Sequence, residues 1–146
     1  MSRSLAETSV QQFLASRLVA VLATVQPDGS PLAMPMWFLP DPAGLTMLSV
    51  DGLQKVRNLR RDPRVCVVAE WADAAGGEPR GVSVQGRAEF LADSPERRAL
   101  VNRFHARYPG LQRIWGGLTM PPDRVMFRIV PARVRIWGLG GAVADG

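Results

Sequence analysis

Leu18-Val19-Ala20-Val21-Leu22-Ala23-Thr24, then Pro27-Asp28-Gly29, then Pro31-Leu32-Ala33-Met34-Pro35-Met36-Trp37-Phe38 is the stretch on which the fold turns. The first run is aliphatic and β-branched, the Pro-Asp-Gly triplet carries tight-turn chemistry, and the second run is again extended in character. That is a hairpin. Working downstream, Pro40-Asp41-Pro42-Ala43-Gly44 marks another turn and residues 45–50 a third strand, so three antiparallel strands are expected in direct succession, as a meander. Upstream, Ser4 and Glu7 have capping-box spacing, and Val10, Phe13, Leu14 and Leu18 recur at helical intervals. This predicts a short amphipathic helix lying on the core.

Beyond the third strand, residues 52–61 switch to a short helical pattern that Asp62-Pro63 stops, and residues 65–71, apolar apart from Glu70, read as a fourth strand. Residues 73–79 read as a polar, mobile loop. Residues 82–90 alternate between two faces, with Gly86 marking a bulge or a close approach. Asp93 or Ser94 caps the next helix, Pro95 suits its first turn, and Leu100, Val101, Phe104 and Tyr108 form its apolar stripe before Pro109-Gly110 ends it. Trp115 then falls in a loop, and residues 125–130 and 133–137 give two final strands broken at Pro131. This order lacks the strand–helix alternation of a Rossmann-like sheet. It suits a mainly β chain with α (α+β), a small antiparallel barrel with flanking helices.

Composition agrees with one globular unit. At 146 residues, 47% apolar and 21% charged, with mean hydropathy of zero, the chain is neither disordered nor a membrane span. Residues 1–138 are expected to form a single domain and residues 139–146 a flexible tail. The apolar run 18–25 does not read as a signal peptide, because Glu7 interrupts the leading segment and no small-residue cleavage site follows. A cytoplasmic location is the expectation. The single cysteine, Cys66, excludes an internal disulfide framework and a multi-cysteine metal cage, and its apolar surroundings mark it as a small core residue.

Net charge is +5, and of 18 basic residues only Lys55 is lysine. It stands in Lys55-Val56-Arg57-Asn58-Leu59-Arg60-Arg61-Asp62-Pro63-Arg64. At about 100° per residue, Val56 and Leu59 define the buried side of this helix, Lys55 and Asn58 flank it, and Arg57 and Arg61 point to water. A compact ammonium beside an amide at a groove edge can anchor a phosphate or carboxylate. The cluster also raises nucleic-acid binding, but single-strand binding calls for interleaved aromatics, and residues 57–64 hold none. Neither nucleic acid nor membrane is expected as a partner. No catalytic acid–base set or metal cluster stands out. Lone His105 reads as surface or half-buried, and Trp71 as core or interface packing. Trp37, beside Met34 and Met36, suits either a flat ligand ring or the core, and Trp115 could close the substrate side.

With these residues in place, the chain resembles the split β-barrel proteins related to pyridoxamine 5′-phosphate oxidase, and most closely their deazaflavin-dependent branch. The matching residues are Ala23-Thr24, Asp28-Gly29-Ser30-Pro31, Pro35-Met36-Trp37-Phe38, the run from Lys55 to Val65, Val84-Gln85-Gly86-Arg87-Ala88 and the closing Pro131-Ala132-Arg133-Val134-Arg135-Ile136-Trp137-Gly138. The resemblance implies a homodimer of six- or seven-stranded split barrels with coenzyme F-420, or FMN, in two clefts at the subunit interface. It puts Lys55 and Asn58 on the phosphate and Pro35, Met36 and Trp37 along the ring system. Ser49 and Val50 would offer backbone groups to the ribityl chain, with Gln85 and Trp137 near the cleft. Relatives often place a hydroxyl near position 50 and an arginine near position 53, where Val50 and Leu53 stand here. Either the phosphate grip is weaker, then, or Arg57 turns inward.

Two functions from different classes follow. One is an oxidoreductase moving a hydride between coenzyme F-420 (or FMN) and a small, flat, apolar organic acceptor, the cofactor carrying the chemistry. The other is a non-catalytic binder of flavin or haem acting as carrier, sensor or stress protein.

Overall fold

The computed structural model describes residues 4–139. In chain order the elements are α1 (Thr8–Ala15), β1 (Ala20–Val25), β2 (Pro31–Met36), β3 (Leu39–Asp41), β4 (Gly44–Val50), α2 (Gln54–Arg61), β5 (Arg64–Trp71), β6 (Arg80–Phe90), α3 (Pro95–Arg107), α4 (Leu111–Trp115) and β7 (Arg124–Trp137). The seven strands form one antiparallel sheet in the order β2-β1-β5-β6-β7-β4-β3. The hairpin is present, with Ala23 opposite Ala33 and Val25 opposite Pro31.

The expected meander is not. β2 and β3 lie at opposite edges of the sheet, and β4 pairs with β7 instead of following β2. The reason lies at Trp37-Phe38, which read as the end of one strand but form the link between the two edges. Seven strands laid flat would separate those edges by roughly 29 Å, whereas three Cα steps from Met36 to Leu39 span at most about 11 Å. The sheet must therefore curl until its edges approach, which makes it a half-barrel with a split. Tyr108, at the C-cap of α3, pins the link: its hydroxyl accepts the Phe38 N–H at 2.9 Å and lies 2.9 Å from the Leu18 carbonyl oxygen and 3.0 Å from that of Phe38.

Two cores lie on the two faces of the sheet. Inside the curl, Leu22, Phe38, Leu45, Met47, Val67, Val84, Phe127 and Ile136 pack together under α1. On the outside of β4 and β7, α3 lays Leu100, Val101 and Phe104 against Met126 and Leu39. Ser94 caps α3 by accepting the Arg97 N–H at 3.1 Å, with Pro95 in the first turn. At the N-terminus only half of the capping box forms: Glu7 accepts the Ser4 N–H at 3.0 Å, but Ser4 Oγ accepts from Ala6 and the helix starts later, at Thr8.

Three further expectations need correction. The two final strands are one 14-residue strand, because Pro131, which lacks an N–H, falls at a bulge where Ala132 is passed over between the Gln85–Arg133 and Gly86–Pro131 pairs. Cys66 is not core but half-exposed on the outer face of β5, its Sγ 3.5 Å from Ser83 Oγ, since that strand buries one face only. Of the segment read as a tail, Leu139 is buried in the inner core, and residues 140–146 lie outside the described residues.

Candidate functional site

Where the end of β2, the end of β4, the start of α2 and the α3–α4 corner meet, there is a cavity of about 340 Å³. Pro35, Met36 and Trp37 enter it from β2 and the link, and Ser49 and Val50 from β4. Leu53 and Lys55 come from the start of α2, Leu111, Ile114 and Trp115 from α4, and Arg124 from the first position of β7. Most of this lining is apolar or aromatic, with two cations. Such a surface suits a flat, anionic ligand.

Of these two cations Lys55 has the fewer ties. Among the described residues no carboxylate pairs with it, and burial pushes its ammonium below the usual value of 10.5. Leu53, the N-cap of α2, accepts the Val56 and Arg57 N–H groups but has no side chain to cap the first turn. The positive end of α2 therefore adds to the field of Lys55.

Trp37 forms a rigid wall. Its ring stacks on Tyr108 at 4.5 Å between centroids and 7° between planes, while 36% of the residue stays exposed. Tyr108→Phe keeps the stack but orphans the buried Phe38 N–H, so a stability loss of roughly 1–3 kcal/mol is expected. An unchanged melting temperature would refute the pinning role.

The other expected site residues lie elsewhere. Asn58 is not at the groove edge. It is fully buried, its amide nitrogen donating to Thr24 Oγ1 at 3.0 Å and its oxygen accepting from Gln54 at 2.8 Å. Helical spacing put it beside the buried side, and β1 closes over that flank. Gln85 is exposed on the outer sheet face, accepting from Arg135 at 2.7 Å. Trp137 sits at the far end of β7 from Arg124, over Gly81, where an added Cβ would come within 2.0 Å of its ring. Neither residue lines the cavity of its own chain.

Arg57 does not turn inward; it is exposed and bonds the Gly52 carbonyl at 2.8 Å and Gln54 Oε1. Trp115 does reach the cavity, from the end of a short helix and not from a loop. Arg124 was missed because nothing local marks it, and only the pairing of β4 with β7 brings it to the site. His105 is half-buried, Nε2 2.9 Å from the Leu118 carbonyl oxygen and ring edge-on to Trp115 at 5.1 Å. Among the described residues no group of three or more His, Cys, Asp or Glu could hold a metal, and no helix is long and apolar enough to cross a membrane.

Comparison with known proteins agrees with this fold. A conserved hypothetical protein of Mycobacterium tuberculosis is 31% identical, with a TM-score of 0.73 over 96% of this chain and 92% of that one. A structure described as an F-420 reductase is 31% identical, with a TM-score of 0.64 over 85% and 94%. An FAD-binding protein of Mesorhizobium loti is 25% identical, with a TM-score of 0.70 over 92% and 93%. No curated protein matches the chain. The family profile described as pyridoxamine 5′-phosphate oxidase matches residues 6–138, and the chain belongs to that family.

Proposed function

We propose that this protein is an oxidoreductase that transfers a hydride between coenzyme F-420, or alternatively FMN, and a small flat organic acceptor, with the cofactor seated in the cavity of Trp37 and Lys55. The observation that carries this reading is that one cavity joins an ammonium that no carboxylate among the described residues pairs with to a braced aromatic wall. The likeness to an F-420 reductase and to an FAD-binding protein supports it.

The residues present fit such a group. When bound, the cofactor supplies the hydride chemistry, and the protein's part is to bind, orient and keep water out. Lys55 and the start of α2 offset the ligand's negative charge. Trp37, Met36 and Pro35 give a flat face for a ring system. Ser49 and Val50, at the end of β4, offer backbone groups to the ribityl chain. Leu53, Leu111 and Ile114 exclude water from the ring, and Trp115 borders the space left for the acceptor.

Gln85 and Trp137 would join the ligand only from a second copy. Supporting a homodimer, the outer face of β1, β2 and β5 places Val21 (42% exposed) beside Pro35 and Val68, and Ala23 beside Ala33 and Cys66. This apolar face calls for a cover. The basic excess elsewhere is spread over ion pairs with Asp41, Asp51, Asp62, Asp93 and Glu96, which favours a small-molecule ligand over a nucleic-acid track. A haem reading is less well served, because the chain's one histidine directs Nε2 at Leu118.

Titration of the purified protein with F-420 and with FMN, followed by fluorescence, tests the reading. Binding of either is expected, and binding of neither would overturn it. Sedimentation as a monomer at micromolar concentration would overturn the shared cleft alone.

A further inference from the structure

We infer that Arg124 is the second cation of the ligand's phosphate site, working with Lys55 in the same cavity. This rests on the cofactor reading above.

Three observations support it. Arg124 and Val50 are directly opposed in the β4–β7 ladder, so their side chains stand side by side on one face of the sheet. Both line the cavity with Leu53 and Lys55, which follow Val50 through the turn at Gly52. The strand start is also fixed, because the Arg124 N–H bonds the Pro121 carbonyl at 3.1 Å and the Asp51 N–H bonds that of Asp123 at 2.8 Å.

The guanidinium has capacity to spare. Arg124 gives Nη1 to Asp123 at 2.5 Å, and among the described residues its Nε and Nη2 have no protein partner. Its side chain is only 18% exposed, whereas Asp123 is 64% exposed, so the neutralising carboxylate sits on the solvent side. A planar fork with free donors, partly desolvated and lining the same cavity as an ammonium, matches phosphate geometry. With Val50 and Leu53 both apolar, the second cation of the cavity comes from across the sheet and not from the exposed Arg57.

The test compares ligands with and without phosphate: FMN against riboflavin, and coenzyme F-420 against its tail-less deazaflavin. Arg124→Gln is expected to weaken binding of the phosphorylated member by about tenfold and leave the other within about twofold. Arg124→Lys should fall between wild type and Arg124→Gln, which guards against misfolding of the neutral variant. Arg57→Gln should change neither. Equal losses for both members of a pair, no loss in Arg124→Gln, or a loss in Arg57→Gln as large as that in Arg124→Gln would overturn the assignment. Wild-type protein that binds none of the four ligands would instead overturn the cofactor reading, so the two failures are told apart.

Discussion

Lys55→Ala is expected to weaken cofactor binding by about 10–100-fold, the cost of losing one charge-assisted hydrogen bond of roughly 1.5–3 kcal/mol. Lys55→Arg should recover part of the loss by restoring the charge. The pH dependence carries a distinct signature. Burial lowers the Lys55 pKa from 10.5, so between the folded and unfolded values the unfolded chain holds more protons. Stability of the free protein therefore rises with pH across that window. An anionic ligand needs the ammonium, so affinity falls with pH across the same window. Opposite slopes in wild type, both flattened in Lys55→Ala, are the expected result of thermal melts and fluorescence titrations between neutral and strongly alkaline pH. A pH-independent affinity would remove Lys55 from the phosphate site.

Gly86→Ala should destabilise the fold more than Gly81→Ala does. At position 86 a Cβ would lie 2.0 Å from the Val130 carbonyl oxygen, 2.9 Å from its carbon and 3.2 Å from Pro131 Cα, all backbone atoms. No rotamer relieves that clash, so the bulge that lets β7 run on past Pro131 must open. A cost of about 3 kcal/mol is the expectation, lowering the melting temperature by roughly 6–12 °C. At position 81 the clash is with the Trp137 ring, a half-exposed side chain that can swing away. Equal losses at the two glycines, measured by differential scanning calorimetry, would contradict this account of the bulge.

What was legible in the sequence follows interaction range. Lys55 could be placed because helical phase is local, and the hairpin because Pro27-Asp28-Gly29 sits between its strands. Gly86 was legible as a bulge or close approach, and is both. Asn58 shows the limit of the same phase argument: a polar residue on a helix flank looks alike whether it meets a groove or a buried Thr24. Arg124, Leu111 and Ile114 reach the cavity only through the β4–β7 pairing and the α3–α4 corner, for which neighbouring residues hold no signal. The meander failed for the same reason, since the return of β4 to β7 is decided some eighty residues downstream.

The two-residue link at Trp37-Phe38 is also a mechanical coupling. Because it joins the edges of the sheet and walls the cavity, any breathing of the barrel that parts β2 from β3 must carry the Trp37 indole with it. On the proposed function, a ring bound against that indole would act as a latch, its binding free energy adding to the work of opening. Amide protons along β2 and β3 should slow their exchange with solvent water as the ligand binds, although most of those groups never touch it.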